Sequence, residues 1–264
     1  MPETIKALIV ILFLSQLLFF FHLKNKLTFI RTAELQQWQF LWLSTTTIAF
    51  LSHNYWLFTL LFIFILKLKK QTQSSLNFSH YLLLLPTLPL LEKEIPGVGG
   101  IRFLFELSVP RLLSLIILLP IFLRSTDRSM AFLKMPGDKL FALFLFINIV
   151  ITTRNGEITN ILRSNFYLFL DMFLPYYAAS RALMKYHDFQ RISYIIVISA
   201  SILAFIALFE ALRGWHLYGS LNYALDVAQR FSTYNYRGGI LRAHSSFSSG
   251  ISLGYYFVIG LGFA

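Results

Sequence analysis

The densest set of chemically capable groups lies between Arg237 and Gly254. Arg237 and Arg242 bracket a glycine pair. His244, Ser245 and Ser246 follow, and Gly250 and Gly254 stand at the head of an apolar run. Arginine carries a permanent charge on a planar fork that fits phosphate oxygens. The backbone N–H groups at a helix start also favour an anion. Two arginines and a row of hydroxyls at the mouth of a helix therefore make a candidate site for a phosphate-bearing ligand. The same pattern also suits a pair of surface arginines, a serine-rich helix cap and two glycines, four apart, that let another helix approach.

Other groups are sparser. Arg213, Arg230, Arg237 and Arg242 share one connecting segment with a single carboxylate, Asp226. Glu210 stands one helical turn before Arg213, where it would hold that arginine or cap a helix end. Asp171 sits in an apolar stretch ahead of Pro175 and invites an arginine from a neighbouring segment. Glu106 follows Arg102 at helical spacing, which predicts an internal ion pair. His216 and His244 fall in the arginine-bearing segment, and His244 has serines and an arginine beside it. His22, His80 and His187 fall at expected helix ends, and His53 interrupts an apolar block. The Gly97 to Gly100 cluster has neither a preceding strand nor a following lysine, so it reads as a turn into the next helix and not as a nucleotide loop. No spacing of acids and histidines indicates a metal, and cysteine is absent.

The elements that position these groups follow from hydrophobic blocks. Of 264 residues, 56% are hydrophobic and 13% charged, against about 25% charged in an ordinary globular domain. Blocks near 6–23, 40–66, 81–91, 101–123, 139–152, 164–182, 192–212 and from Ser248 onward show no strand-like alternation. The expected fold is all-α: a polytopic transmembrane bundle of about seven to nine helices, forming one domain over 1–264 that stops inside its last helix. Lys67, Lys69 and Lys70, then Arg124, Arg128, Lys134 and Lys139, then Arg181, Lys185 and Arg191 mark one side of the membrane. The segment 213–247 then faces outward, and Leu221, Leu225, Ala228 and Phe231 recur in it at near-helical spacing, as in a helix lying in the interface. The net charge of +11 sits in the short links, where lipid headgroups explain it better than nucleic acid does.

Arg242, Ala243, His244, Ser245, Ser246 and Phe247, followed by Gly254 and Tyr255, resemble the signature of the bacterial O-antigen ligase and polysaccharide polymerase family. Thr153 and Arg154, Asp171 to Tyr176, Ser180 and Arg181, and Phe209 to Tyr218 are similar to that family's upstream blocks. Pro96 to Gly100 and Arg111 add to the likeness. The family pattern commonly has glycine at the position of Ser245, and a histidine or asparagine followed by proline near Ser248 and Ser249. The resemblance implies the N-terminal half of a GT-C-like membrane glycosyltransferase. Such an enzyme transfers a glycan from a polyprenyl diphosphate such as undecaprenyl diphosphate to a lipid or glycan acceptor, in lipopolysaccharide and cell-envelope synthesis. It implies Arg242 as the catalytic residue at the diphosphate, without metal or cofactor. Arg237, Arg213, His244, Ser245 and Ser246 are then expected to bind substrate, and Glu210, Asp171, Arg154, Gly250 and Gly254 to support the site. The place would be the bacterial inner membrane, with the site facing outward and the general base in a loop beyond Ala264. A lipid-linked-glycan flippase or transporter and a non-catalytic membrane subunit are the competing readings.

Overall fold

The computed structural model describes residues 2–24, 30–68, 74–97, 99–100, 102–124, 131–154, 157–182, 185–227 and 234–264. Most of the apolar blocks become helices. The first is α1 (Glu3–Lys24). The long block at 40–66 resolves into two helices, α2 (Thr32–Leu51) and α3 (Tyr55–Leu68). The break has a local cause: His53 takes a left-handed backbone (φ 48°), and the Asn54 side chain accepts from the Trp56 N–H at 2.8 Å. An Asx cap of this kind starts a new helix. Next comes α4 (Ser74–Thr87), with Pro86 in its last turn.

The block at 101–123 departs from expectation. Its first part is β2 (Phe103–Ser108), paired antiparallel with β1 (Glu92–Pro96), Glu92 facing Ser108 and Glu94 facing Glu106. Gly99 and Gly100, both at positive φ, therefore lie between two strands and not at a helix start. The pairing also removes the expected Arg102–Glu106 helical pair. Glu106 lies instead 4.0 Å from Arg111, on α5 (Val109–Leu113). A π turn at Ser114–Leu118 joins α5 to α6 (Leu119–Arg124). Then come α7 (Asp138–Arg154) and α8 (Ile158–Leu168). A second π turn at Phe169–Phe173 leads into α9 (Leu174–Ala182). The chain ends with α10 (Tyr186–Arg213), the short α11 (Gly219–Ala224), the hairpin β3 (Tyr236–Arg237) and β4 (Ile240–Leu241), and α12 (Gly250–Phe263).

Helix α10 is the axis of the fold, in contact with α1, α4 and α12. Its stripe of Ile195, Ile198, Ile202 and Ile206 is fully or almost fully buried, at the i, i+3, i+4 spacing of one helix face. Trp38, Trp42 and Phe50 of α2 and Tyr55, Phe58 and Phe62 of α3 fill the other side of the same core.

The expected bundle of seven to nine membrane-spanning helices is not what the chain builds. Among the described residues two helices are long and apolar enough to cross a bilayer: α1 with 22 residues and α10 with 28. Helices α3, α4 and α12 have 14 residues each, and at 1.5 Å per residue they reach about 21 Å, against a hydrocarbon core of about 30 Å. Two arginines of the third expected basic patch are also placed differently. Arg181 is buried against Asp138 at 2.6 Å, and Arg191 is held by Glu34 at 3.1 Å and Asp188 at 3.0 Å. Lys69, Lys70 and Arg128 lie outside the described residues.

Candidate functional site

The site is assembled where α10 ends. Gly214 closes the helix in the left-handed conformation (φ 63°), and its N–H and that of Trp215 return to the Glu210 carbonyl, a cap that glycine makes without steric cost. The turn carries the chain through His216, Leu217 and Tyr218, all buried, into α11. After residue 234 the β3–β4 hairpin turns on Gly238 (φ 59°) and Gly239 (φ 79°), the paired positive angles of a two-residue hairpin turn. The Arg242 N–H donates to the Asn235 carbonyl at 2.8 Å, which fixes where the hairpin releases the chain. Residues 243–249 then run to α12, where the Ser249 side chain accepts from the Ser252 N–H at 3.2 Å.

Glu210 organises this loop. Its carboxylate is fully buried and accepts from three backbone N–H groups: Leu217 at 3.0 Å, His244 at 3.2 Å and Ser245 at 2.9 Å. His216 Nδ1 stands 3.5 Å from the same carboxylate. A buried charge is tolerated only when hydrogen bonds replace water, and here two of the three come from the segment that follows Arg242. Ser245 takes a left-handed backbone (φ 52°), which turns its N–H toward Glu210, and the Ser246 hydroxyl donates to the Pro86 carbonyl on α4. The loop is thus tied to both α10 and α4.

This geometry sorts the candidate residues. Arg242, Arg237 and Arg213 are exposed at this end of the fold, with no ion pair among the described residues. Asp226, the segment's carboxylate, is taken by Lys93 at 2.7 Å, and that lysine holds its carboxyl below the usual range. The arginines are therefore available to an external anion. Arg242 also lies against the first turn of α12: a Cβ added to Gly250 would come within 3.0 Å of Arg242 Cγ, 3.1 Å of its Nε and 2.9 Å of the Ala243 carbonyl oxygen. Gly250 is needed as glycine at this close approach.

His244, Ser245 and Ser246 are buried. They build the floor under Arg242, and do not face an open surface as substrate-binding groups would. Glu210 supports the loop and not Arg213. Asp171 sits on the second π turn, where Arg111 grips it at 3.1 Å while stacking over the Tyr167 ring; that cluster belongs to the β1–β2 end of the chain. Arg154 is exposed at the last residue of α7. Gly254 meets nothing within 4 Å, so the expected Gly250–Gly254 packing pair does not form. Gly260 is the packing glycine, since a Cβ there would fall 2.6 Å from Ala200 Cβ on α10. Arg230, Ala228 and Phe231 lie outside the described residues, and Tyr218 is fully buried.

Sequence reasoning missed His216 as a member of the site and Glu210 as its hub. The carboxylate reaches partners 34 and 35 residues away, a distance no local spacing encodes. Comparisons with protein-family models, with curated proteins and with solved structures return no match.

Proposed function

We propose that the chain is a membrane-associated glycosyltransferase of the O-antigen ligase or polysaccharide polymerase type, in which Arg242 meets the diphosphate of a polyprenyl-linked glycan donor. The observation that carries this reading is the placement of Arg242. It is an exposed arginine without an ion pair among the described residues, set on a loop whose floor is locked by Glu210, beside the N-terminus of a 14-residue helix. Displacing a lipid diphosphate from a sugar leaves negative charge on the departing oxygens. Fixed cationic donors aimed at that charge lower the barrier without reorganising during the reaction. Arg237 and Arg213 add positive potential at the same end of the fold. The acceptor is a lipid or glycan hydroxyl, and the setting is the bacterial inner membrane.

The experiment is glycan transfer from a polyprenyl-diphosphate donor in membranes containing the wild-type protein or Arg242→Ala. Loss of one such donor costs about 10²–10³-fold in rate, so the variant is expected to fall near background while its thermal stability stays within about 0.5 kcal/mol of wild type, as for an exposed side chain. Full transfer by Arg242→Ala removes the assigned role. Movement of the lipid-linked glycan across vesicles without a new glycosidic bond would instead favour a flippase.

A further inference from the structure

Beneath the Arg242 loop, Glu210, His216 and His244 come together, and one ligand-capable atom from each lies within 4.8 Å of the others. All three are buried. The two imidazoles stack with centroids 3.8 Å apart and planes inclined at 22°, so both rings border one small buried space.

His216 is the second, independent observation. It is 1% exposed, yet its Nε2 has no hydrogen-bond partner among the described residues. Its Nδ1 stands 3.5 Å from Glu210 Oε2, long for a hydrogen bond. Leaving a buried imidazole nitrogen unpartnered costs free energy, and a cation on Nε2 would remove that cost. A divalent ion also offsets the buried Glu210 charge, which no lysine or arginine pairs among the described residues.

We propose that Glu210, His216 and His244 hold a divalent transition-metal ion of the Zn²⁺ class, through one carboxylate oxygen and one nitrogen of each ring. Imidazole and carboxylate donors in this ratio suit zinc and its neighbours better than calcium or magnesium, which prefer all-oxygen sets. The ion would join the C-terminal turn of α10 to the loop that carries Arg242, with a fourth position open to water, and charge stabilisation on the ligand stays with the arginines. The inference does not depend on the glycosyltransferase reading, because its readout is metal binding.

The test uses the full chain, purified without a histidine tag and stripped with chelator, then titrated with Zn²⁺ and separately with Co²⁺. The expected result is one Zn²⁺ per chain and an intense visible Co²⁺ absorption typical of a tetrahedral site. His216→Ala and His244→Ala should each weaken binding by about tenfold or more, with His53→Ala, at the exposed α2–α3 break, unchanged as a control. Absence of stoichiometric Zn²⁺ with no tetrahedral Co²⁺ spectrum in the wild-type chain overturns the site. So does binding that both substitutions leave intact. If the variants fail to fold, the wild-type Co²⁺ spectrum still decides.

Discussion

Glu210 shows how one side chain can set the shape of a site it does not touch chemically. Three backbone N–H groups from two segments converge on its carboxylate, and each, left buried without an acceptor, costs about 1–3 kcal/mol. Glu210→Ala is therefore expected to destabilise the fold by about 3 kcal/mol or more and to open residues 243–249 to protease, read by denaturant titration and limited proteolysis. Glu210→Gln should rescue little, since the amide nitrogen would oppose N–H donors on either side. Wild-type stability in Glu210→Ala would show that the loop is held elsewhere. Asp138 makes a contrasting pair with Arg181 at 2.6 Å, both buried. The guanidinium, with the Met135 N–H and the Tyr176 hydroxyl, holds the Asp138 carboxyl below its ordinary range. A lowered folded-state value means that the contribution is complete above the unfolded carboxyl's pKa, about 3.9, and fades as pH falls through the folded value. Asp138→Asn should cost roughly 3–5 kcal/mol at neutral pH and flatten the acid limb of the stability curve. An unchanged acid limb would place that limb on other carboxylates.

At the scale of elements, helix positions were legible and helix lengths were not. The apolar blocks mark α1, α7 and α10 to within a few residues, because a run without alternation has little alternative to a helix. Ser52 to Asn54, whose interruption of the 40–66 block leaves one tilted helix or two short ones open, separate α2 from α3, and Pro86 sits in the last turn of α4. The strand β2 was missed because its residues Phe103 to Ser108 carry one charge among apolar neighbours. Their pairing with Glu92 to Pro96 is visible only once the turn brings the two runs together. The site was legible only in part. Arg242 and the capping serines follow from local pattern, whereas Glu210 and His216 join through a fold that the sequence does not spell out. Packing of α12 on α10 turns on Gly260, where an added Cβ would sit 2.6 Å from that of Ala200. Gly260→Ala should cost about 1–3 kcal/mol by overpacking and raise amide exchange along α12. Ala200→Gly in the same chain should restore most of the protection, apart from the intrinsic helical cost of glycine, about 1 kcal/mol. A double variant no better than Gly260→Ala would mean that the two helices do not meet there.

At the scale of the whole molecule, the exposed apolar surface is the dominant feature. On α7, Leu140, Phe146 and Ile151 are 74%, 63% and 64% exposed, and Asp138 is that helix's buried residue. Leu60 on α3 and Val258 and Leu261 on α12 are 64%, 68% and 77% exposed. Contiguous apolar surface on this scale is covered in a working protein by lipid or by another chain. The proposed lipid-linked donor favours lipid, and the net charge of +11 would draw basic loops toward anionic headgroups, at about 1 kcal/mol per cation near the surface. This requires far fewer crossings than a polytopic bundle: α1 and α10 have the length to cross, and the shorter helices would lie against acyl chains without spanning. The protein should accordingly stay in the membrane pellet through a carbonate wash at high pH, and a double substitution of α7 such as Phe146→Glu with Ile151→Glu should reduce its yield in that pellet. Release of the wild-type chain by carbonate would show that a protein partner, and not lipid, covers these faces. Retention of the α7 variant at wild-type levels would place the membrane contact on helices other than α7.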